Sequence, residues 1–202
     1  MRIVLATRNP GKRGEIERIL AGGEIVIAGP EELAGIPEPE ETGGTFEENA
    51  MIKAIAAFES TGLPALADDS GIEVDALGGA PGVMSARYGG EVLTDRERYE
   101  YLLETMKDVP DGERTARFRC VMVLHPSPAA GETWIREGNL DGVITREPAG
   151  SGGFGYDPVF YVPEAEKTAA EMTRDEKNSI SHRYRALVEM KGLLARHAGR
   201  VE

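Results

Sequence analysis

One cysteine in 202 residues leaves nothing for it to pair with inside the chain, so no internal disulfide staples this fold. Cys120 lies in Phe118-Arg119-Cys120-Val121-Met122-Val123-Leu124, a run with the composition of a core strand, and is read as a packed thiol. Basic charge is also scarce: 23 Lys and Arg stand against 35 Asp and Glu, a net charge of −12. An acidic surface excludes wrapping duplex nucleic acid or lying on an anionic membrane, both of which need a basic face. A small anionic ligand stays open, provided that local cations and a metal offset the field. No apolar run is long enough to cross a bilayer, and Met1 to Ala6 is too short for a signal peptide, so a cytosolic protein is expected. Repeats, low-complexity tracts and long linkers are absent too, which predicts one domain over residues 1–202.

What is there is a mixture of strand and helix patterns throughout, the mark of an α/β fold. Ile3 to Ala6 reads as a buried strand, and a helix after Asn9-Pro10-Gly11 carries Ile16, Ile19 and Leu20 at helical spacing. Ile25 to Ala28 reads as a second strand. Thr45-Phe46-Glu47-Glu48 and Thr94-Asp95-Arg96-Glu97 have the form of capping boxes, opening one helix that runs to about Glu59 and another with Tyr99, Leu102, Leu103 and Met106 on one stripe. Thr115 to His125 and Thr133 to Thr145 are predicted strands joined as a hairpin through Pro126 to Gly131. Ile180, Tyr184, Leu187, Val188, Lys191 and Leu194 mark a last amphipathic helix.

Polar and glycine-rich clusters fall at the ends of these elements, where a rigid scaffold presents functional loops. Thr7-Arg8-Asn9-Pro10-Gly11-Lys12 joins a strand to a helix start; it lacks the Walker pattern, and either offers backbone N–H groups, a hydroxyl and a lysine to a phosphate or is a plain strand-to-helix turn with a surface lysine, the reading favoured by the segment alone. Lys53 is the single cation of a helix that is apolar nearly all round, so it either snorkels to water or pairs with an anion, and Ala50 and Ala57 beside it leave room for a ligand. Asp68-Asp69-Ser70-Gly71 puts adjacent carboxylates between a short apolar run and a glycine turn. Such a pair suits a divalent ion, with Glu41 as a third carboxylate, or else forms an Asp-rich turn. Phe154, flanked by Gly153 and Gly155, either stacks on a base or fills core together with Tyr156. Lys177, Asn178, Ser179, Ser181, His182 and Arg183 bring donors to the start of the last helix.

The order of these clusters resembles the inosine triphosphate pyrophosphatase family over essentially the whole chain. The resemblance rests on Thr7-x-Asn9-x-x-Lys12, Glu41-Thr42-Gly43 with Thr45-Phe46-x-x-Asn49-Ala50, Asp68-Asp69-Ser70-Gly71, Gly78-Gly79-Ala80-Pro81-Gly82 with Ser85-Ala86-Arg87-Tyr88, Gly152 to Pro158, and Ser181-His182-Arg183. It implies hydrolysis of deaminated purine nucleoside triphosphates (ITP, dITP, XTP) to the monophosphate and pyrophosphate, with Mg2+. It also implies an elongated mixed β-sheet with flanking helices, two lobes around a central nucleotide cleft, and a homodimer. Carried over, Asp69 is the proton acceptor and a metal ligand and Glu41 a second ligand; the chemistry of the adjacent carboxylates adds that Asp68 orients or co-ligates the ion. Thr7, Arg8, Asn9, Pro10, Gly11, Lys12, Lys53 and Ser70 face the triphosphate; Phe154, Gly155, Tyr156 and Asp157 hold base and sugar; Lys177, His182 and Arg183 read the base. Two rival readings remain: a nucleotide sensor without turnover, and a related pyrophosphatase acting on pyrimidine triphosphates.

Overall fold

Strand β1 (Arg2–Leu5) buries Ile3, Val4 and Leu5 on both of its faces, and its neighbours β2 (Val26–Ile27) and β3 (Ala65–Val74) both run parallel to it. A strand apolar on both faces needs helices on both, as parallel sheets do. The computed structural model describes residues 1–22, 25–34, 38–127 and 132–198. Its seven-stranded sheet has the order β2-β1-β3-β4-β5-β6-β7, with β4 (Thr115–His125), β5 (Trp134–Ile144), β6 (Phe160–Val162) and β7 (Lys167–Thr168). The helices are α1 (Pro10–Leu20), α2 (Phe46–Thr61), α3 (Asp95–Thr105), α4 (Arg174–Ile180) and α5 (His182–Ala198).

The chain divides into two compact units. The first comprises Met1–Asp69, Cys120–Gly138 and Arg183–Glu202, the second Ser70–Arg119 and Asn139–His182. In the first, Ile3, Leu5 and Leu66 pack with Ile16, Leu20, Leu187 and Met190 of α1 and α5. The odd-numbered positions of β3 behave differently: Ala65 and Ala67 pack with Ala50, Ala54 and Ala57 of α2. Alternate residues of a strand face opposite sides, so β3 divides its side chains between two helical layers. In the second unit Ile72, Val74, Leu102, Phe118, Leu140 and Phe160 form one core, with the Phe118 and Phe160 rings 4.2 Å apart.

Local signals in the sequence match most element starts. Both expected capping boxes form at Thr45 and Thr94, a third forms at Thr173, and α2 ends at Gly62 in the left-handed conformation. The Asp68-Asp69-Ser70-Gly71 segment departs from expectation. It is the middle of the ten-residue strand β3 rather than a turn. Gly71 is small there because Ser85 approaches it: a Cβ would lie 2.3 Å from the Ser85 Oγ, which accepts the Ile72 N–H at 2.8 Å. The expected last helix is two helices, broken at Ser181, whose backbone is extended between α4 and α5. Of the expected Pro126 to Gly131 turn, residues 128–131 lie outside the described residues.

Candidate active site

Asp68 and Asp69 are neighbours in sequence yet serve opposite faces of β3. Asp68 shares the face of Leu66. Lys12 of α1 lies 3.2 Å from its Oδ2, and Arg183 of α5 donates to the same oxygen from Nε at 3.3 Å and Nη2 at 3.2 Å. The remaining arm of the guanidinium, Nη1, donates to Glu15 of α1. Asp69 shares the face of Ala67 and meets α2. Lys53 Nζ donates to Asp69 Oδ1 at 2.8 Å and to Glu41 Oε1 at 3.0 Å, while Asn49 Nδ2 donates to Asp69 Oδ2 at 3.4 Å. Asn49 also fixes the Glu41 loop, its Oδ1 accepting the Gly43 N–H at 2.8 Å.

Four carboxylates (Glu15, Glu41, Asp68, Asp69) therefore meet three cations (Lys12, Lys53, Arg183) within the first unit. Burial and the charges across each contact set how Asp68, Asp69 and Lys53 titrate. Burial raises the Asp69 pKa above the ordinary carboxylate value, and Glu41 adds to the rise, against the opposing pull of Lys53 and Lys12. For Lys53, burial favours the neutral amine, but Asp69, Asp68 and Glu41 together outweigh it and raise the pKa. Asp68 is completely buried, which alone would raise its pKa, yet Lys12 and Arg183 hold it well below the carboxylate range. A carboxylate kept ionised thus lies beside one biased toward taking up a proton. That difference is how a site separates an orienting acid from a base.

Of the residues expected to face phosphate, three come together. Thr7, Arg8 and Lys53 line one hollow with Ala56, Ala57, Leu33 and Glu38, so of the two alanines expected beside a ligand Ala57 lines it. Ala50 instead is fully buried in the core. Asn9 is occupied as the cap of α1: its Oδ1 accepts the Gly11 N–H at 2.9 Å and the Lys12 N–H at 3.1 Å, so two of the backbone donors expected for a phosphate are already bonded. Pro10 is the first residue of that helix, where it removes no needed donor. Ser70 follows Asp69 on β3 and is half-buried.

In the second unit the Phe154 loop is built around Asp157. Its Oδ2 accepts the Phe154 N–H at 2.8 Å and an ammonium hydrogen of Lys177 at 2.5 Å. Gly153 has φ +73°, and a Cβ there would fall 1.9 Å from that oxygen, so only glycine fits. Lys177 Nζ lies 4.7 Å from the centre of the half-buried Phe154 ring. Tyr156 splits from Phe154: it is buried in the core, its hydroxyl donating to the Ser85 carbonyl at 2.7 Å. Burial accordingly raises its pKa. His182 stacks on Phe118, ring centres 5.0 Å apart.

Two expectations meet a different geometry. The Arg183 guanidinium, expected to read the base, is 1% exposed and its fork is bonded to Asp68 and Glu15. Asp68 and Asp69 do not converge on one point, because the strand period turns them apart, and among the described residues no three Asp, Glu, His or Cys side chains form a metal cage. Sequence reasoning passed over Glu15, although a carboxylate beside Ile16 on the inward stripe of α1, one turn after Lys12, is a signal for a buried pair. Cys120 is buried as expected, its thiol pushed up to about 12 by burial and by nearby Asp68.

As a whole the chain is similar to known proteins. The chain is 55% identical over 186 residues to a dITP/XTP pyrophosphatase of Shigella flexneri, covering 92% of this chain and 94% of that one. It is 54% identical, with the same coverage, to the dITP/XTP pyrophosphatase of Escherichia coli K12. A HAM1 protein from Coxiella burnetii superposes with a TM-score of 0.88 at 46% identity, covering 97% of this chain and 99% of that one. The Ham1 protein of Staphylococcus aureus does so with 0.85 at 39%, covering 96% and 98%. With the family model matching residues 3–193, this chain belongs to the Ham1 family.

Proposed function

We propose that this protein hydrolyses deaminated purine nucleoside triphosphates (ITP, dITP and XTP) to the nucleoside monophosphate and pyrophosphate, removing them before they enter DNA or RNA. The observation that carries this reading is the Asp69-Lys53-Glu41 junction, in a chain that matches named dITP/XTP pyrophosphatases over 92% of its length. Asp69 acts as the base. Its Oδ2, whose bond from Asn49 is longer than the one Oδ1 receives from Lys53, takes the proton of the attacking water.

Mg2+ is the cofactor of this proposal, and the donors suit it. Two carboxylate oxygens, from Asp69 and Glu41, lie 2.8 and 3.0 Å from one ammonium, so these two acids already share a cation and would be the ones to hold the metal. Mg2+ is commonly held by one or two carboxylates, the other positions going to water and phosphate oxygens, so a three-residue cage is not required. When bound, the ion lowers the pKa of bound water and offsets phosphate charge. Lys53 and Lys12 would hold phosphate oxygens, with Thr7 and Arg8 in the same hollow as Lys53. Asp68, fixed by Arg183, orients the strand beneath Asp69.

Base choice is assigned to the second unit, to Phe154 as a stacking ring and to Lys177 and His182 as donors toward a 6-oxo purine. Adenine, with a 6-amino donor, leaves them unpaired, and such mismatches discriminate by roughly 10⁴-fold in sites built for hydrogen bonding. We propose further, on the family resemblance, that the protein works in the cytosol as a homodimer. The test of the reaction is ITP turnover in ¹⁸O-water with Mg2+. Label in the monophosphate, with pyrophosphate as the other product, supports attack at the α-phosphorus; IDP and inorganic phosphate would overturn it.

A further inference from the structure

Phe154 sits on a glycine-flanked loop, and such a loop needs an anchor to hold a ring in one place. Asp157 supplies one from within the loop, and the Tyr156 hydroxyl supplies a second on Ser85. A third comes from 60 residues away: the Gly155 N–H donates to Asp95 Oδ2 at 2.7 Å. Asp95 is the first residue of α3, and its own position is fixed on both sides. Around it, Thr94 and Glu97 close a capping box. After it, the buried Arg98 donates to the carbonyls of Tyr88 and Gly90 at 3.0 Å each and of Leu93 at 2.7 Å, tying the approach to α3 in place.

We infer that Asp95 is a positioning residue for substrate specificity: by holding the Gly155 amide, it sets the attitude of the Phe154 ring that stacks on the purine. The inference rests on the base-binding role assigned above to Phe154. An acidic residue at a helix start is ordinarily explained by the helix dipole alone. The short bond to Gly155 goes beyond that explanation, because helix stabilisation needs no partner across the fold. A charged acceptor also makes a stronger bond to an amide than a neutral one, which suits a loop whose glycines resist ordering.

Asp95→Ala and Asp95→Asn test it, the latter retaining an acceptor oxygen while losing the charge that the helix dipole favours. Three quantities are read: KM and kcat for ITP, the inhibition constant of inorganic tripolyphosphate, which carries the phosphates without a base, and hydrogen exchange at the Gly155 amide. For Asp95→Ala, KM for ITP is expected to rise about tenfold, the equivalent of about 1.4 kcal/mol, with kcat and tripolyphosphate inhibition little changed and Gly155 exchanging faster. Asp95→Asn is expected to restore most of each. Equal weakening of ITP and tripolyphosphate, or an Asn variant as impaired as the Ala variant, would make Asp95 a helix stabiliser and overturn the inference. Unchanged Gly155 exchange in Asp95→Ala would overturn the tether itself. A wild-type protein that fails to turn over ITP would instead overturn the proposed function, and with it the substrate role of Asp95, while the exchange measurement still decides whether the tether exists.

Discussion

Replacing Arg183 by methionine separates what the structure says of this residue from what the sequence suggests. In the structure the guanidinium is 1% exposed and bonds two carboxylates, Asp68 and Glu15. Methionine fills much of the space but leaves those acids without their shared cation. Removing one partner of a buried ion pair costs about 3–5 kcal/mol, and because Lys12 remains 3.2 Å from Asp68 the lower end, about 3 kcal/mol, is expected. At about 2–4 °C per kcal/mol for a chain of this size, the melting temperature falls by about 6–12 °C. The pH dependence has a definite sign. Asp68 has a folded pKa below its unfolded value of 3.8, so its contribution is fully present above pH 3.8 and is lost as pH falls toward the depressed value. Urea unfolding of wild type and Arg183→Met should therefore differ by the same amount at pH 7.5 and 5.5, and the gap should narrow only below about pH 4. Unchanged stability together with lost preference for ITP over ATP would refute this reasoning and return Arg183 to the base.

Further outcomes are expected at the carboxylate junction and in the core. Asp69→Asn should abolish turnover while keeping ITP binding, measured by calorimetry, since it removes the base and preserves shape; near-normal turnover would remove Asp69 from the mechanism. Lys53→Met should weaken ITP binding about 10- to 100-fold, the scale of losing a hydrogen bond to a charged group, and leave inosine binding unchanged. Equal losses for ITP and inosine would make Lys53 purely structural. Cys120 should resist an aromatic disulfide reagent at pH 8 in the folded protein, its thiol being buried and pushed up to about 12, and react once urea unfolds the chain. Prompt reaction without denaturant would contradict its placement.

Much of this was legible locally. Thr45 and Thr94 each announce a helix with a glutamate three residues on, and both boxes form. Buried strands such as β1 and β4 show as apolar runs. The Asp68 to Gly71 segment was illegible for a physical reason: aspartate, serine and glycine are all poor strand formers, and what holds them extended is pairing and burial in a sheet. Gly71 reads as a turn residue but is small because Ser85 packs against it. The opposed directions of Asp68 and Asp69 follow at once from strand geometry, and were missed because the strand was missed. Arg183 illustrates a different limit. Its partners lie 115 and 168 residues away, so no local pattern distinguishes a buried guanidinium from one facing a ligand. Phe154 and Tyr156 were ambiguous as a pair, and the structure divides them, one ring half-exposed on the loop and the other in the core.

Pyrophosphate release from ITP, dITP, XTP, GTP, ATP, dTTP and UTP at equal concentrations, with Mg2+ and with chelator, tests the central claim most directly. Metal-dependent release confined to ITP, dITP and XTP is the predicted result. Preference for dTTP and UTP, or tight ITP binding with no release from any of the seven, would contradict it.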